Sequence, residues 1–388
     1  MNVPLLDLKL QYKTIKDEID KAILKVAETQ SLILGEEVST LETTLAKYID
    51  CTFAIGVSSG TDALLMAMMS LNLKPGDEVI LPDYSFFATA GVVVRVGATP
   101  IFVDCDPITF NIIPEKIITK INSKTKAIIP VHLYGQSADI DSILEIANKY
   151  NIPVIEDCAQ AIGAQNKDGK KVGSKGYCGC FSFYPTKNLG GFGDGGLITT
   201  NDKTIYQKFI QMRNHGMEPK YHHKFIGGNF RLDAIQAAVL NVKFKYLEEW
   251  NEKRRLNAKL YNETFISNKL AENTGKIEFD DNNKVLLPKA VYAQNNFTNY
   301  HIYNQYIIRV QKRDELRAFL STNGIGSEIY YPVPFHKQEC FAYLNNDENE
   351  FKNSIFNANS SLALPIFPEL TKEQISYVVE KISEFINQ

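Results

Sequence analysis

Three short segments hold residue types that together could do chemistry. The first is "VSSGTDALL", residues 57–65, where an apolar strand-like run gives way to a helix-like one. A helix start exposes unpaired N–H groups and a partial positive charge. Gly60 lets an anion approach that backbone and Thr61 adds a hydroxyl, a setting suited to a phosphate. Plain helix capping by Ser59 or Thr61 explains the same residues taken alone, and no Gly-Lys-Ser follows to make a P-loop. The second is "VIEDCAQA", residues 154–161, which ends an apolar run in two carboxylates. Asp157 lies close to the core, where a carboxylate is costly unless it meets a cation or donors. A protonated ring nitrogen is one such partner, and Gln160 can donate to or accept from a ring oxygen. A cap or a structural ion pair is the plain alternative. The third is "FSFYPTKNLG", residues 181–190, with Lys187. A lysine is a nucleophile only when neutral, and a desolvated, electropositive setting favours that form. Most lysines are solvated; the flanking Phe181, Phe183 and Tyr184 argue for an enclosed one. Ser182 stands within reach of a phosphate.

A phosphate cradle, a strand-end carboxylate and a lysine thirty residues later form a set. Pyridoxal 5'-phosphate asks for all three: it has a phosphate to anchor, a pyridine nitrogen to keep protonated and an aldehyde to hold as a Schiff base. Its flat ring also wants an aromatic neighbour. Phe86, in "DYSFFATA", is available. The glycines of "GGFGDGG" after Lys187 read as backbone passing close to the same site, where side chains would fill needed space.

The elements that must position these residues follow from periodicity. Between residue 53 and residue 161, short apolar runs ("FAIGVS", "EVILP", "TPIFVDCD", "TKAIIPVHLYG", "IPVIEDCAQ") alternate with helical stretches. This predicts a mostly parallel sheet covered by helices, with ligands beyond the carboxyl ends of its strands. Residues 13–48 read as helical, with Ser39 or Thr40 placed to cap a second helix. "RLDAIQAAVLNVKFKYLEEWNEKRRLNAKLYNETF" reads as one long helix leading into a second unit. We therefore expect a large domain over 1–249, including the N-terminal helical segment, and a smaller α+β domain over 250–388.

Composition narrows the class. The chain has 388 residues, 44% hydrophobic and 22% charged, with a net charge of −3. That balance suits a globular protein and argues against bulk electrostatic binding of nucleic acid. No apolar run is long enough to span a membrane, and the N-terminus lacks the apolar centre of a signal peptide. The six cysteines are scattered, and Cys178 and Cys180 form C-x-C rather than C-x-x-C, so no metal site is expected. A reducing, cytoplasmic setting is expected.

The segments above, with "VPLLDLKLQY", "RNHG", "NFRLDAIQAAVL", "YYPVPFHKQECF" and "SLALPIFPELTKEQ", run nearly the whole chain in order. Together they resemble the nucleotide-sugar aminotransferases of the DegT/StrS family, which have the aspartate-aminotransferase fold (fold type I). The resemblance implies that Lys187 carries the cofactor and moves the proton during transfer. It implies that Asp157 pairs with the pyridine nitrogen, Gln160 with the ring hydroxyl, and Phe86 stacks. Gly60, Thr61 and Ser182 match phosphate contacts. Asn229 matches an asparagine that reaches the phosphate from a second subunit, which implies a homodimer with shared sites. Tyr184, Tyr331 and His336 are expected at the substrate. The implied reaction takes an amino group from glutamate, leaving 2-oxoglutarate, to a keto-sugar on dTDP or UDP. Such products serve surface polysaccharide, lipid A or antibiotic sugars. The residues around Lys187 are more similar to members that aminate C3 than to those that aminate C4. A regulatory or binding protein on the same scaffold is the non-enzymatic alternative; the intact Lys187, Asp157 and Gln160 argue against it.

Overall fold

The computed structural model describes residues 1–388. Two helices open it, α1 (Leu8–Thr29) and α2 (Glu36–Ile49). Asp7 caps α1 by accepting the N–H groups of Lys9 and Leu10. The cap of α2 is Gly35, not Ser39 or Thr40. A side chain at Gly35 would meet Ser31 Oγ at 2.3 Å, and Ser39 instead turns its hydroxyl back to the Glu36 carbonyl within the helix.

The alternating part follows as β1 (Phe53–Val57), α3 (Gly60–Ser70), β2 (Glu78–Pro82), α4 (Ala88–Arg95), β3 (Thr99–Val103), α5 (Pro114–Ile118), β4 (Thr125–Ile128), α6 (Ile140–Lys149), β5 (Ile155–Asp157), β6 (Cys178–Ser182) and β7 (Gly196–Thr200). Strands β3, β2 and β4 pair in parallel. Parallel bridges Ile128–Val154 and Val131–Asp157 join β4 to β5, and β5 pairs in parallel with β6. The order across the sheet is thus β3-β2-β4-β5-β6-β7-β1, with β7 antiparallel to both neighbours. The mostly parallel sheet expected from the alternation is present. Its strands read as continuous apolar runs because both faces are covered. Helix α3 is apolar nearly all round and almost wholly buried, as a helix enclosed on several sides must be. That burial fixes where its N-terminus points.

Helices α7 (Lys203–Arg213), α8 (Ala234–Phe244) and α9 (Leu247–Ser267) come next. The single long helix expected from residue 231 onward is two. The break falls at Lys245 and Tyr246, whose side chains both reach Glu18 of α1, and the Tyr246 ring stacks on Trp250. The C-terminal part holds β8 (Val285–Leu286), β9 (Tyr306–Val310), α10 (Arg313–Thr322), α11 (Lys352–Ser360), β10 (Ser361–Leu364) and α12 (Lys372–Ile386), with an antiparallel sheet ordered β10-β9-β8.

The expected boundary at 249/250 falls inside α9, and segments from each side cross it. Val3 exchanges backbone hydrogen bonds with Gly324 and Gly326 at 2.8 Å and packs into the C-terminal core. In return, residues 330–354 lie back over the large sheet. There Asp83 accepts the His336 N–H at 2.8 Å, and Asp104, just beyond β3, accepts the Ser354 N–H at 2.9 Å.

Candidate active site

Asp157 ends β5 in the middle of the sheet and is only 4% exposed. Thr89, in the first turn of α4, donates its hydroxyl to Oδ2 at 2.8 Å, and the Ala159 N–H donates to Oδ1 at 3.1 Å. Burial pushes the Asp157 carboxyl up from its ordinary value, more than these donors and the nearby charge of Lys187 pull it down. The carboxylate therefore still lacks a full partner, and a cation placed against it would supply one.

Three passes of the chain converge beside it. Ser59 caps α3, accepting the Asp62 N–H at 3.0 Å. A Cβ on Gly60 would lie 2.7 Å from Ser182 Cβ at the end of β6, and a Cβ on Gly196 would lie 2.5 Å from the Ser59 carbonyl carbon. Only glycine fits at either point. The result is a cradle walled by the start of α3 and by the hydroxyl-bearing Thr61 and Ser182, both half-buried. Its donor set suits a phosphate.

Lys187 is partly buried and takes no hydrogen bond from its neighbours through its amine. Burial lowers its pKa from 10.5 to about 8, against the raising effect of the Asp157 charge. Its backbone is held firmly. The Lys187 N–H donates to the Tyr184 carbonyl at 2.9 Å. Next to it, the buried Asn188 amide donates to Asn251 Oδ1 at 2.7 Å and the Ile302 carbonyl at 2.9 Å, and accepts from Asn304 at 3.0 Å. The glycines that follow are packed rather than slack: side chains at Gly190 and Gly191 would meet the Pro185 carbonyl at 2.3 Å and Gln236 Oε1 at 2.8 Å. Lys243 anchors the Gly190 carbonyl at 2.7 Å.

A pH dependence follows. A lysine at about 8 is roughly one-tenth neutral at pH 7, against about one part in three thousand for one at 10.5, each pH unit being a factor of ten. The rate at which the cofactor-free protein gains a visible band on mixing with pyridoxal phosphate should rise with pH about a midpoint near 8. Stopped-flow absorbance across pH 6–10 checks this; a midpoint at 10 or above overturns the desolvated-lysine reading.

The other expected site residues are distributed unevenly. Gln160 is buried, and Tyr331 meets it across the fold at 2.9 Å. Phe86 is 55% exposed, with its ring centre 5.9 Å from that of Tyr331. Tyr184 is exposed near Lys187, and Asn229 is exposed on a segment bridged to Asn214. His336, expected at the substrate, is enclosed. Its side chain is 1% exposed, its Nδ1 lies 2.6 Å from Asp83 Oδ2 and its ring stacks on Phe351. These contacts bolt residues 330–336 to the sheet and leave the ring's Nε2 without a partner.

Thr89, Tyr84, Tyr134 and Asn188 were not singled out from the sequence. Thr89 carried a usable signal, a hydroxyl in the first turn of a helix following a strand. The others pair across long separations. His132, Glu156 and Cys158 also cluster in the core. The Ala138 N–H donates to His132 Nδ1, so Nε2 carries the proton and faces Glu156 at 3.0 Å. Glu156 also accepts the N–H groups of Gly173, Lys175 and Gly176. The cluster is a satisfied hydrogen-bond network that ties β5 to the 173–176 loop.

The glycine-only cradle, the under-partnered carboxylate and the desolvated lysine fit pyridoxal phosphate in one site. On this sheet order they define a fold-type-I pyridoxal-phosphate-dependent aminotransferase. The chain belongs to the DegT/DnrJ/EryC1/StrS aminotransferase family, whose model matches residues 13–383. It is 47% identical over 385 residues to a pleiotropic regulatory protein of Geobacillus stearothermophilus, covering 99% of both chains. It is 40% identical over 380 residues to UDP-N-acetyl-3-dehydro-alpha-D-glucosamine 3-aminotransferase of Acidithiobacillus ferrooxidans, covering 98% of this chain and 97% of that one. The crystal structure of S. venezuelae DesV superposes with a TM-score of 0.91 at 35% identity, covering 100% and 99% of the two chains.

Proposed function

We propose that this protein transfers the amino group of glutamate to C3 of a keto-sugar carried on a nucleoside diphosphate, dTDP or UDP. The observation that carries this is the complete set of Lys187, Asp157 and Gln160 around one cradle, in a chain similar along its length to a sugar-nucleotide 3-aminotransferase. The similarity to a protein named as regulatory does not redirect the reading. A purely regulatory role would not require a buried carboxylate and a desolvated amine beside a phosphate cradle.

Pyridoxal phosphate, when bound, would supply an electron-withdrawing ring and an aldehyde carbon for amino-group transfer. The chain's own residues do the rest. The start of α3 with Gly60, Thr61 and Ser182 holds the phosphate. Asp157 keeps the ring nitrogen protonated, which draws electrons from the reacting carbon. Phe86 covers the ring face. Lys187, with its amine about half neutral near pH 8, takes the proton from the donor carbon and gives it back on the other side of the transfer.

The site is completed, in this reading, by a second copy of the chain. Asn229 is exposed, and the neighbouring Tyr221 and Ile226 leave 76% and 86% of their surfaces open. Apolar side chains so exposed suit an interface, and a homodimer would bring Asn229 to the partner's cradle. In this reading the protein works in the cytoplasm, in the making of amino sugars for surface polysaccharide, lipopolysaccharide or related products. No helix is long and apolar enough to cross a membrane.

The test is a direct assay with glutamate and a panel of dTDP- and UDP-linked 3-keto and 4-keto sugars. We expect 2-oxoglutarate to form in step with amino sugar from a 3-keto substrate. Turnover of 4-keto sugars alone would move the reaction to C4. A yellow protein that turns over none of the panel would remove the sugar assignment.

A further inference from the structure

Gln160 has a polarity that the structure dictates. Its Oε1 accepts the Tyr134 N–H at 2.7 Å. A backbone N–H can only donate, so the amide oxygen must face Tyr134 and the nitrogen must face away. Nε2 then gives one hydrogen to the Tyr331 hydroxyl at 2.9 Å. Its second hydrogen meets no acceptor on the chain, although Gln160 is only 6% exposed.

Tyr331 is itself held from several sides. Its N–H donates to the Tyr84 hydroxyl at 2.7 Å, and that hydroxyl donates on to the Tyr330 carbonyl at 2.8 Å. The Tyr134 hydroxyl donates to the same carbonyl. Five residues on, Asp83 accepts both the backbone and the ring of His336, and its own carbonyl accepts the Phe335 N–H at 2.8 Å. A segment from the C-terminal part is thus clamped over the end of β2 so that one phenol touches one buried amide.

We infer that Tyr331 is a positioning residue that holds Gln160 as a hydrogen-bond donor toward the cofactor ring oxygen, rather than a residue that grips the sugar nucleotide. The inference rests on the pyridoxal-phosphate reading of the site. A donor at that oxygen stabilises its anion and weakens its hold on a shared proton. The bound cofactor's visible band then titrates at a lower pH than it would without the donor.

Tyr331→Phe removes the phenol oxygen and keeps the ring beside Phe86 and Tyr84. In the cofactor-loaded protein the visible-band midpoint should rise by about half a pH unit or more, a threefold change in proton affinity at a factor of ten per unit. KM for the sugar nucleotide should stay within twofold. Gln160→Met should raise the midpoint further, and the double variant should match Gln160→Met alone, because both changes act through one group. A tenfold rise in KM with an unmoved midpoint in Tyr331→Phe would overturn the inference and return Tyr331 to the substrate. Should Tyr331→Phe not fold, as judged by circular dichroism, an unmoved midpoint in Gln160→Met overturns it by itself. A parent protein that gains no visible band with pyridoxal phosphate would instead defeat the underlying cofactor reading.

Discussion

Lys187→Ala is expected to give a folded protein that borohydride cannot couple to pyridoxal phosphate and that has lost turnover by at least about 10³-fold. Two roles end together in this variant: the covalent hold on the cofactor and the movement of the proton. The fold should survive. The Lys187 amine makes no hydrogen bond, while the backbone around it is held by the Tyr184 carbonyl and by Asn188. Removing a desolvated amine also removes a group whose charged form the fold disfavours. The check is borohydride treatment followed by peptide mass mapping, with circular dichroism as the control for folding. Cofactor fixed to the variant would mean another anchor. Lys243 would be the first to test, since burial brings it to about 8 as well.

Asp157→Ala should separate activity from stability. Turnover is expected to fall by about 10²–10³, the loss seen when one preorganised electrostatic group is taken from a reacting centre. Cofactor should still bind, because the phosphate cradle is untouched. The cofactor-free protein should be no less stable than the parent. The sign follows from linkage. Folding raises the Asp157 pKa, so as the pH climbs above the unfolded value its ionisation increasingly opposes folding. Alanine removes the penalty, and in the parent a bound ring nitrogen would offset it. Pyridoxal phosphate should therefore raise the melting temperature of the parent more than that of the variant. Thermal melts with and without cofactor, beside steady-state turnover, read both effects. Near-normal turnover would show that another group handles the ring nitrogen. A collapsed fold would make Asp157 a structural residue.

Much of the site was legible because its parts are local. The cradle, the carboxylate and the lysine each lie in a few consecutive residues whose neighbours announce a strand end or a helix start. "VIEDCAQA" places Asp157 at the tip of a buried strand by periodicity alone. "SSGTDA" carries its cap and its glycine in adjacent positions. The alternation from residue 53 onward likewise predicts covered parallel strands, because doubly buried strands must be apolar throughout.

What the linear pattern could not show is which distant residues meet. The reversal of β7 between β6 and β1 brings Gly196 against Ser59, and nothing in "GGLITT" states a direction. The division of one expected helix at Tyr246 depends on Glu18 of α1.

The sequence by itself pointed to the class of fold, the cofactor and three candidate residues to handle it, because each demand is met within one short segment. The tertiary structure alone decided that His336 is sealed against Asp83 and that Tyr331 sits on Gln160, pairs separated by 253 and 171 residues. A tyrosine or histidine in a loop is compatible with substrate, core or neighbour. Only the packing of the C-terminal part over the end of β2 chooses among these, because a hydrogen bond that spans the fold depends on where two segments come to rest.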